Sequence, residues 1–126
     1  MNELLVDSHV LLWILEAKPH IGKIAQLRIK EASKVFVSAA SIWELRIKAG
    51  LGKLELPPDF EKAILHAGFL ELPVYFHHSS ILSQLETTHK DPFDRLLLAT
   101  ARSEGIALLT VDEKLRELPG TIDARL

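Results

Sequence analysis

Four acidic residues in this chain stand at positions from which hydrolytic chemistry can be built. Asp7 directly follows an apolar run at residues 4–6, and Asp112 directly follows another at residues 107–111. Glu44 lies early in the stretch after Val35-Phe36-Val37, and Asp94 lies in the first turn of a segment opened by Asp91-Pro92. Carboxylates gathered from four separate segments repel one another, and no Lys or Arg is placed by spacing to neutralise them all. A hard divalent cation with oxygen ligands, Mg2+ or Mn2+, resolves that conflict. Such an ion activates water for attack on phosphorus and stabilises the leaving oxygen. The residue types therefore point to metal-dependent phosphodiester chemistry, with Asp91 as a possible fifth acid.

Chemistry of this kind requires elements that bring the four acids to one place. Short β-type runs alternate with helix-length amphipathic stretches. Strands are expected at residues 4–6, 35–37, 107–111 and around Ile122, with a weaker, Pro73-containing edge strand at 70–74. Helices are expected over residues 8–17, 21–32, 38–49, 59–67, 78–86 and from Asp91-Pro92 to about Glu104, with a short one between Asp112 and Pro119-Gly120. Near-continuous apolar strands separated by helices define an α/β class, three layers with a mostly parallel sheet covered on both faces. In that architecture helices start at the edge where strands end, and ligands collect there. Asp7, Glu44, Asp94 and Asp112 all fall on that edge.

Each acid also has a local, purely structural reading. Asp7 suits the N-cap of the following helix. Ser41-Ile42-Trp43-Glu44 spells a capping box, which is the better reading of Glu44 taken alone. Asp91 before Pro92 is a strong helix start, and Asp94 suits the positive end of a helix dipole. Asp112 suits a turn or cap. Convergence, rather than any single position, favours a site.

Composition narrows the alternatives. The 126 residues suit one domain spanning 1–126. Apolar residues make up 48% of the chain and charged residues 25%, an ordinary globular balance. The longest apolar run, residues 10–15, is far too short to span a bilayer. The N-terminus lacks the pattern of a secretory signal, so a cytoplasmic location without membrane association is expected. The chain has no cysteine, which excludes thiol catalysis, disulfides and cysteine-ligated zinc. No Gly-rich phosphate loop and no G-x-S-x-G elbow is present.

Four blocks, LLVDSHVLLW, VSAASIWELRIKAGLGKL, HKDPFDRLLLATA and LLTVD, occur in order along nearly the whole chain. Together they resemble the PIN domain, and more narrowly the VapC-type ribonuclease toxins of bacterial toxin–antitoxin pairs. The resemblance implies a PIN-like α/β/α fold and a Mg2+- or Mn2+-dependent endoribonuclease. It implies that Asp7 and Asp94 are the principal metal ligands, with Glu44 and Asp112 bound directly or through water. Asp91 would cap its helix with a supporting role, while Thr110 and Ser8 would orient carboxylates. A small antitoxin partner is implied by the resemblance alone, and a homodimer is expected beside it. The sequence departs from the pattern at Glu86-Thr87-Thr88, where related sequences carry a Leu-Pro pair.

Other residues are weighed against this reading. Arg46, Lys48 and Lys53 suit either a solvated helix face or contact with RNA phosphates, and Arg95 suits phosphate binding or bracing of a carboxylate. His77-His78 suit capping or solvation better than metal ligation, His9 suits packing beside the site, and His89 suits a hydrogen bond within its loop. Trp13 and Trp43 suit core packing better than base stacking. The apolar residues Ile42, Leu45, Ile47 and Leu51 suit an antitoxin groove, the core or a homodimer interface. Two competing classes remain: a catalytically silent PIN-like module that binds RNA or protein, and a receiver-type signalling domain. The latter leaves Glu44 and Asp94 unexplained.

The net charge of −2 first argues against a nucleic-acid substrate. Setting aside Asp7, Glu44, Asp91, Asp94 and Asp112 leaves 12 acids against 15 bases, a remainder of +3. The acidity is concentrated in the proposed site, and the rest of the chain is mildly basic.

Overall fold

The computed structural model describes residues 2–85 and 91–126. Its elements follow the order β1 (Glu3–Val6), α1 (Ser8–Leu15), α2 (Lys23–Glu31), β2 (Lys34–Ser38), α3 (Ala39–Gly50), α4 (Phe60–His66), β3 (Leu70–Leu72), α5 (Phe76–Ser80), α6 (Pro92–Glu104), β4 (Ala107–Thr110) and β5 (Thr121–Asp123). A single 3-10 turn, Leu82–Gln84, follows α5. The five strands form one sheet in the order β3-β2-β1-β4-β5, with every neighbouring pair parallel. The weak strand at residues 70–72 is indeed an edge strand, bonded only to β2 among the described residues.

Alternation along each strand divides the core between the two faces of the sheet. Val6, Val37 and Leu109 pack with Val10, Leu11, Leu45, Phe60 and Ile64 on one face. Leu5, Leu108 and Leu72 pack with Leu97, Leu98, Ala101 and Leu115 on the other. Both faces are covered, which is why the central strands read as continuous apolar runs.

Helix ends explain most boundary differences from the sequence reading. The first helix stops at Leu15, two residues before the expected end, because Ala17 turns into the left-handed region at φ 53°. There the Lys18 N–H bonds Trp13 and the Ala17 N–H bonds Ile14, a Schellman closure just ahead of Pro19. Gly105, at φ 69°, closes α6 in the same way, with less strain because it has no Cβ. The expected helix at 78–86 is instead α5 followed by the 3-10 turn, and its last residue, Glu86, lies outside the described residues.

The expected helix after Asp112 is not formed; residues 113–120 make a series of turns. The Asp112 carboxylate accepts the Lys114 and Leu115 N–H groups and starts one turn. The Thr121 hydroxyl then donates to the carbonyls of Leu115 and Leu118, which a continuing helix would need as acceptors.

Candidate active site

The strand order reverses direction at β1, between β2 on one side and β4 on the other, and this switch point opens a crevice at the carboxyl ends of the strands. A cavity of about 290 Å3 lies there, lined by Asp7, Ser8, His9, Glu44, Lys48, Asp91, Asp94, Val111, Asp112 and Glu113. All four carboxylates singled out from the sequence line it, together with Asp91 and Ser8. Glu113 is an additional acid that sequence reasoning passed over, although its position next to Asp112 was a usable signal.

Asp7 is fixed most completely. It is buried at the end of β1 and caps α1, where Oδ1 accepts the Val10 N–H at 2.8 Å. Its Oδ2 accepts the Thr110 hydroxyl at 2.6 Å and the Val111 N–H at 3.1 Å, both from the end of β4. The helix cap thus occupies one oxygen of the side chain, and the end of β4 holds the other. Burial pushes the Asp7 carboxyl above its ordinary pKa, and the hydrogen bonds from Thr110, Val10 and Val111 oppose that rise. Thr110 also accepts the Asp112 N–H at 3.1 Å, linking the first and last acids through one hydroxyl.

Glu44 does not form the capping box. The N-cap of α3 is Ser38, whose side chain accepts the Ala40 N–H, so Ser41 and Glu44 fall inside the helix. Glu44 is buried and turned to the cavity, where Oε1 accepts the Ser8 hydroxyl at 2.7 Å. Lys48, one turn further along α3, approaches Glu44 Oε2 at 3.5 Å. Asp91 is the N-cap of α6, accepting the Phe93 N–H at 2.9 Å, and Pro92 and Asp94 occupy the first turn.

The basic residues divide. Lys48 lines the cavity, whereas Arg46 pairs with Glu61 and lies over the Phe60 ring, outside the lining. Arg95 donates to the Leu82 carbonyl at 3.4 Å and braces the 3-10 turn. Lys53 is an exposed turn residue beyond α3. His9 is exposed at the cavity, and His89 lies outside the described residues. Trp13 packs on the core against His20, but Trp43 is 63% exposed, which overturns the core-packing expectation for it. The apolar set on α3 splits as well: Leu45 is buried, Ile42 is half-buried and Ile47 and Leu51 are exposed.

An oxygen-rich donor set with one facing lysine fits a hard divalent cation better than a soft one. Among the described residues, the trio whose ligand atoms all lie within 4.8 Å of one another is elsewhere, at His77, His78 and Glu104. Glu104 is ten residues beyond Asp94 on α6, about 15 Å along the helix axis, hence toward the opposite edge of the sheet. His78 is fully buried, and its Nδ1 accepts the Tyr75 N–H at 3.1 Å. That bond assigns the proton to Nε2. Nε2 then donates to Glu104 Oε2 at 2.8 Å. Metal ligation through Nε2 requires the other tautomer and the loss of the Tyr75 bond. The trio is accordingly a clasp between α5 and α6, with His77 adding a second contact to the same oxygen at 2.9 Å. His78 is also the capping residue that the sequence reading favoured. Among the described residues, no three acids of the cavity gather as closely as that trio.

A doubly covered parallel sheet with an acid-lined crevice at its switch point defines an α/β protein of the kind whose ligands collect at the carboxyl ends of its strands. The PIN domain model matches residues 4–120, and the chain belongs to that family. Comparison with curated protein sequences finds no match. Among solved structures, it is similar to a chain of DNA-bound VapBC from Salmonella typhimurium, with TM-score 0.68 and 18% identity over 97% of this chain and 96% of that one. It is also similar to a chain of VapBC2 from Rickettsia felis bound to a promoter DNA fragment, with TM-score 0.65 and 16% identity over 95% and 96% of the two chains. A toxin–antitoxin complex from Klebsiella pneumoniae gives TM-score 0.66 and 15% identity over 96% and 97%.

Proposed function

We propose that this protein is a Mg2+- or Mn2+-dependent endoribonuclease that acts as the toxin of a toxin–antitoxin pair. The observation that carries the reading is the meeting of Asp7, Glu44, Asp94 and Asp112, from four separate segments, in one cavity of a PIN-family sheet. Asp7 and Asp94 would hold the ion most directly, with Glu44 and Asp112 bound to it or to its waters. When bound, the ion would supply a nucleophilic water and neutralise charge on the phosphate. The chain's own residues prepare the site for this. Thr110 holds the Asp7 carboxylate toward β4, and Ser8 holds Glu44. Lys48 adds a positive charge at the wall where substrate phosphate would lie. Asp91 keeps the first turn of α6, and so Asp94, in place.

RNA as substrate is supported by the resemblance and by the mildly basic remainder of the chain. The toxin role and an antitoxin partner are supported by likeness to chains of VapBC complexes, matched over nearly the whole of both chains, and a homodimer and a cytoplasmic setting are proposed with that reading. No helix among the described residues is long and apolar enough to cross a membrane. The deciding measurement is cleavage of single-stranded RNA by the purified protein with Mg2+ or Mn2+, beside Asp7→Asn and Asp94→Asn. Wild type should cleave, and both folded variants should lose at least about 100-fold, the scale of removing one essential charge-stabilising group. Equal cleavage by all three, or cleavage that survives chelation, would sink the assignment.

A further inference from the structure

Each of the helices α3 and α6 that delivers a carboxylate to the cavity also carries an aromatic ring one residue earlier: Trp43 before Glu44, and Phe93 before Asp94. The two rings meet edge to face, with centroids 5.5 Å apart at 68°. Phe93 is half-buried, while Trp43 is 63% exposed. Tryptophan is on average among the more buried residues, so a braced and solvent-facing indole calls for an occupant. Consecutive helix positions differ by about 100°. Trp43 therefore flanks the stripe that Glu44 and Lys48 turn into the cavity, rather than lying on the opposite side of α3.

The surroundings of the indole decide between two kinds of occupant. Glu44, Lys48 and Asp94, on the same two helices as the aromatic pair, line the acidic cavity, and the exposed Ile47 and Leu51 continue an apolar surface from Trp43 along α3. The centre of a protein–protein interface is depleted of charged groups, whose desolvation opposes association. A nucleotide instead covers a π-face with its base and leaves the neighbouring charges to water and to phosphate. Single-stranded recognition commonly joins aromatic stacking with backbone charge in this way. We propose that Trp43, braced by Phe93, is the stacking platform for a base adjacent to the phosphodiester held at the acidic cavity. The proposal rests on the nuclease reading for the identity of its substrate. It gives the site a means to position an unpaired strand and to reject a duplex whose bases are already stacked.

The test compares cleavage of a short single-stranded oligoribonucleotide by wild type, Trp43→Leu and Trp43→Phe, with Trp13→Phe as a control outside the site. Trp43→Leu should lower kcat/KM by roughly 5- to 100-fold, the scale of one lost base–aromatic stack, and Trp43→Phe should recover most of it. An abasic nucleotide beside the mapped cleavage position should impair wild type but add little to Trp43→Leu, since both remove the same contact. A parallel arm titrates Trp13→Phe, with Trp43 its one indole, with the same oligoribonucleotide and Ca2+ in place of Mg2+. Quenching of the indole emission is expected. Unchanged cleavage by Trp43→Leu overturns the platform while leaving the nuclease reading intact. Loss of cleavage by Trp43→Leu and Trp43→Phe alike, with a change of mass by light scattering, overturns it in favour of a contact with a second copy. Should wild type cleave nothing, quenching supports the platform and its absence overturns it.

Discussion

At the scale of single residues, the site is held by hydroxyls as much as by carboxylates. Thr110 is the clearest case, donating to Asp7 Oδ2 while accepting the Asp112 N–H. Thr110→Val keeps the shape and removes both bonds, so it should destabilise the fold by about 1–3 kcal/mol, as expected for buried groups left unmatched. The hydroxyl is also the foremost influence holding the Asp7 pKa down against burial. Its loss should move the acid limb of the kcat/KM profile to higher pH, and Thr110→Ser should restore it. A variant that only loosened the fold would lower activity at every pH without moving the limb. The stability contribution of Asp7 has its own sign. Folding raises its pKa, so its contribution to stability is greatest below the unfolded value and declines as pH rises through the folded one. Keeping Asp7 ionised at neutral pH thus opposes folding, a burden that the proposed cation would relieve.

At the scale of elements, α6 ties the two ends of the sheet together. Its first turn presents Asp94 to the cavity, and its last turn is clasped to α5 through Glu104, His77 and His78. The hydrogen bonds from His77 and then His78 hold the Glu104 carboxyl below its ordinary pKa. A lowered folded pKa gives stability that is fully present above the unfolded value, near 4.5, and lost as pH falls through the folded one. Glu104→Gln should lower stability near neutral pH by about 1 kcal/mol, allowing for partial exposure. Its melting temperature should also fall less steeply than that of wild type below pH 4.5. Parallel melting curves for the two proteins through that range would refute the clasp. Much of this architecture was legible beforehand, because strand periodicity, Asp91-Pro92 and Gly105 are local signals with local causes. The turns after Asp112 were not legible, since Thr121 takes the helical carbonyls from beyond the segment itself. Nor was the exposure of Trp43, because an apolar stretch does not state which side of its helix the sheet will cover. Ser41 and Glu44 satisfied a capping pattern on paper, yet Ser38, three residues earlier, took the cap.

At the scale of the whole molecule, the distribution of charge matters more than its sum. The net −2 conceals a concentrated negative crevice in an otherwise mildly basic chain, and the crevice sits at the ends of β1 and β4. Such a distribution responds differently to specific ions and to ionic strength. Monovalent salt screens exposed charges over a Debye length of about 10 Å at 0.1 M and acts only weakly on partly buried groups. A divalent cation bound in the cavity would stabilise the folded state alone, by about 2.7 kcal/mol at a hundredfold excess over its Kd. That corresponds to a rise in melting temperature of roughly 10 °C for a domain of this size. Mg2+ or Mn2+ should therefore raise the melting temperature of wild type saturably, and NaCl at equal ionic strength should raise it far less. Asp94→Asn should lose most of the divalent-specific part while retaining the response to NaCl, because it removes a proposed ligand and leaves the rest of the charge in place. An equal response of wild type to both salts would mean that the acids are merely screened, and the crevice would then be an electrostatic feature without a cation site.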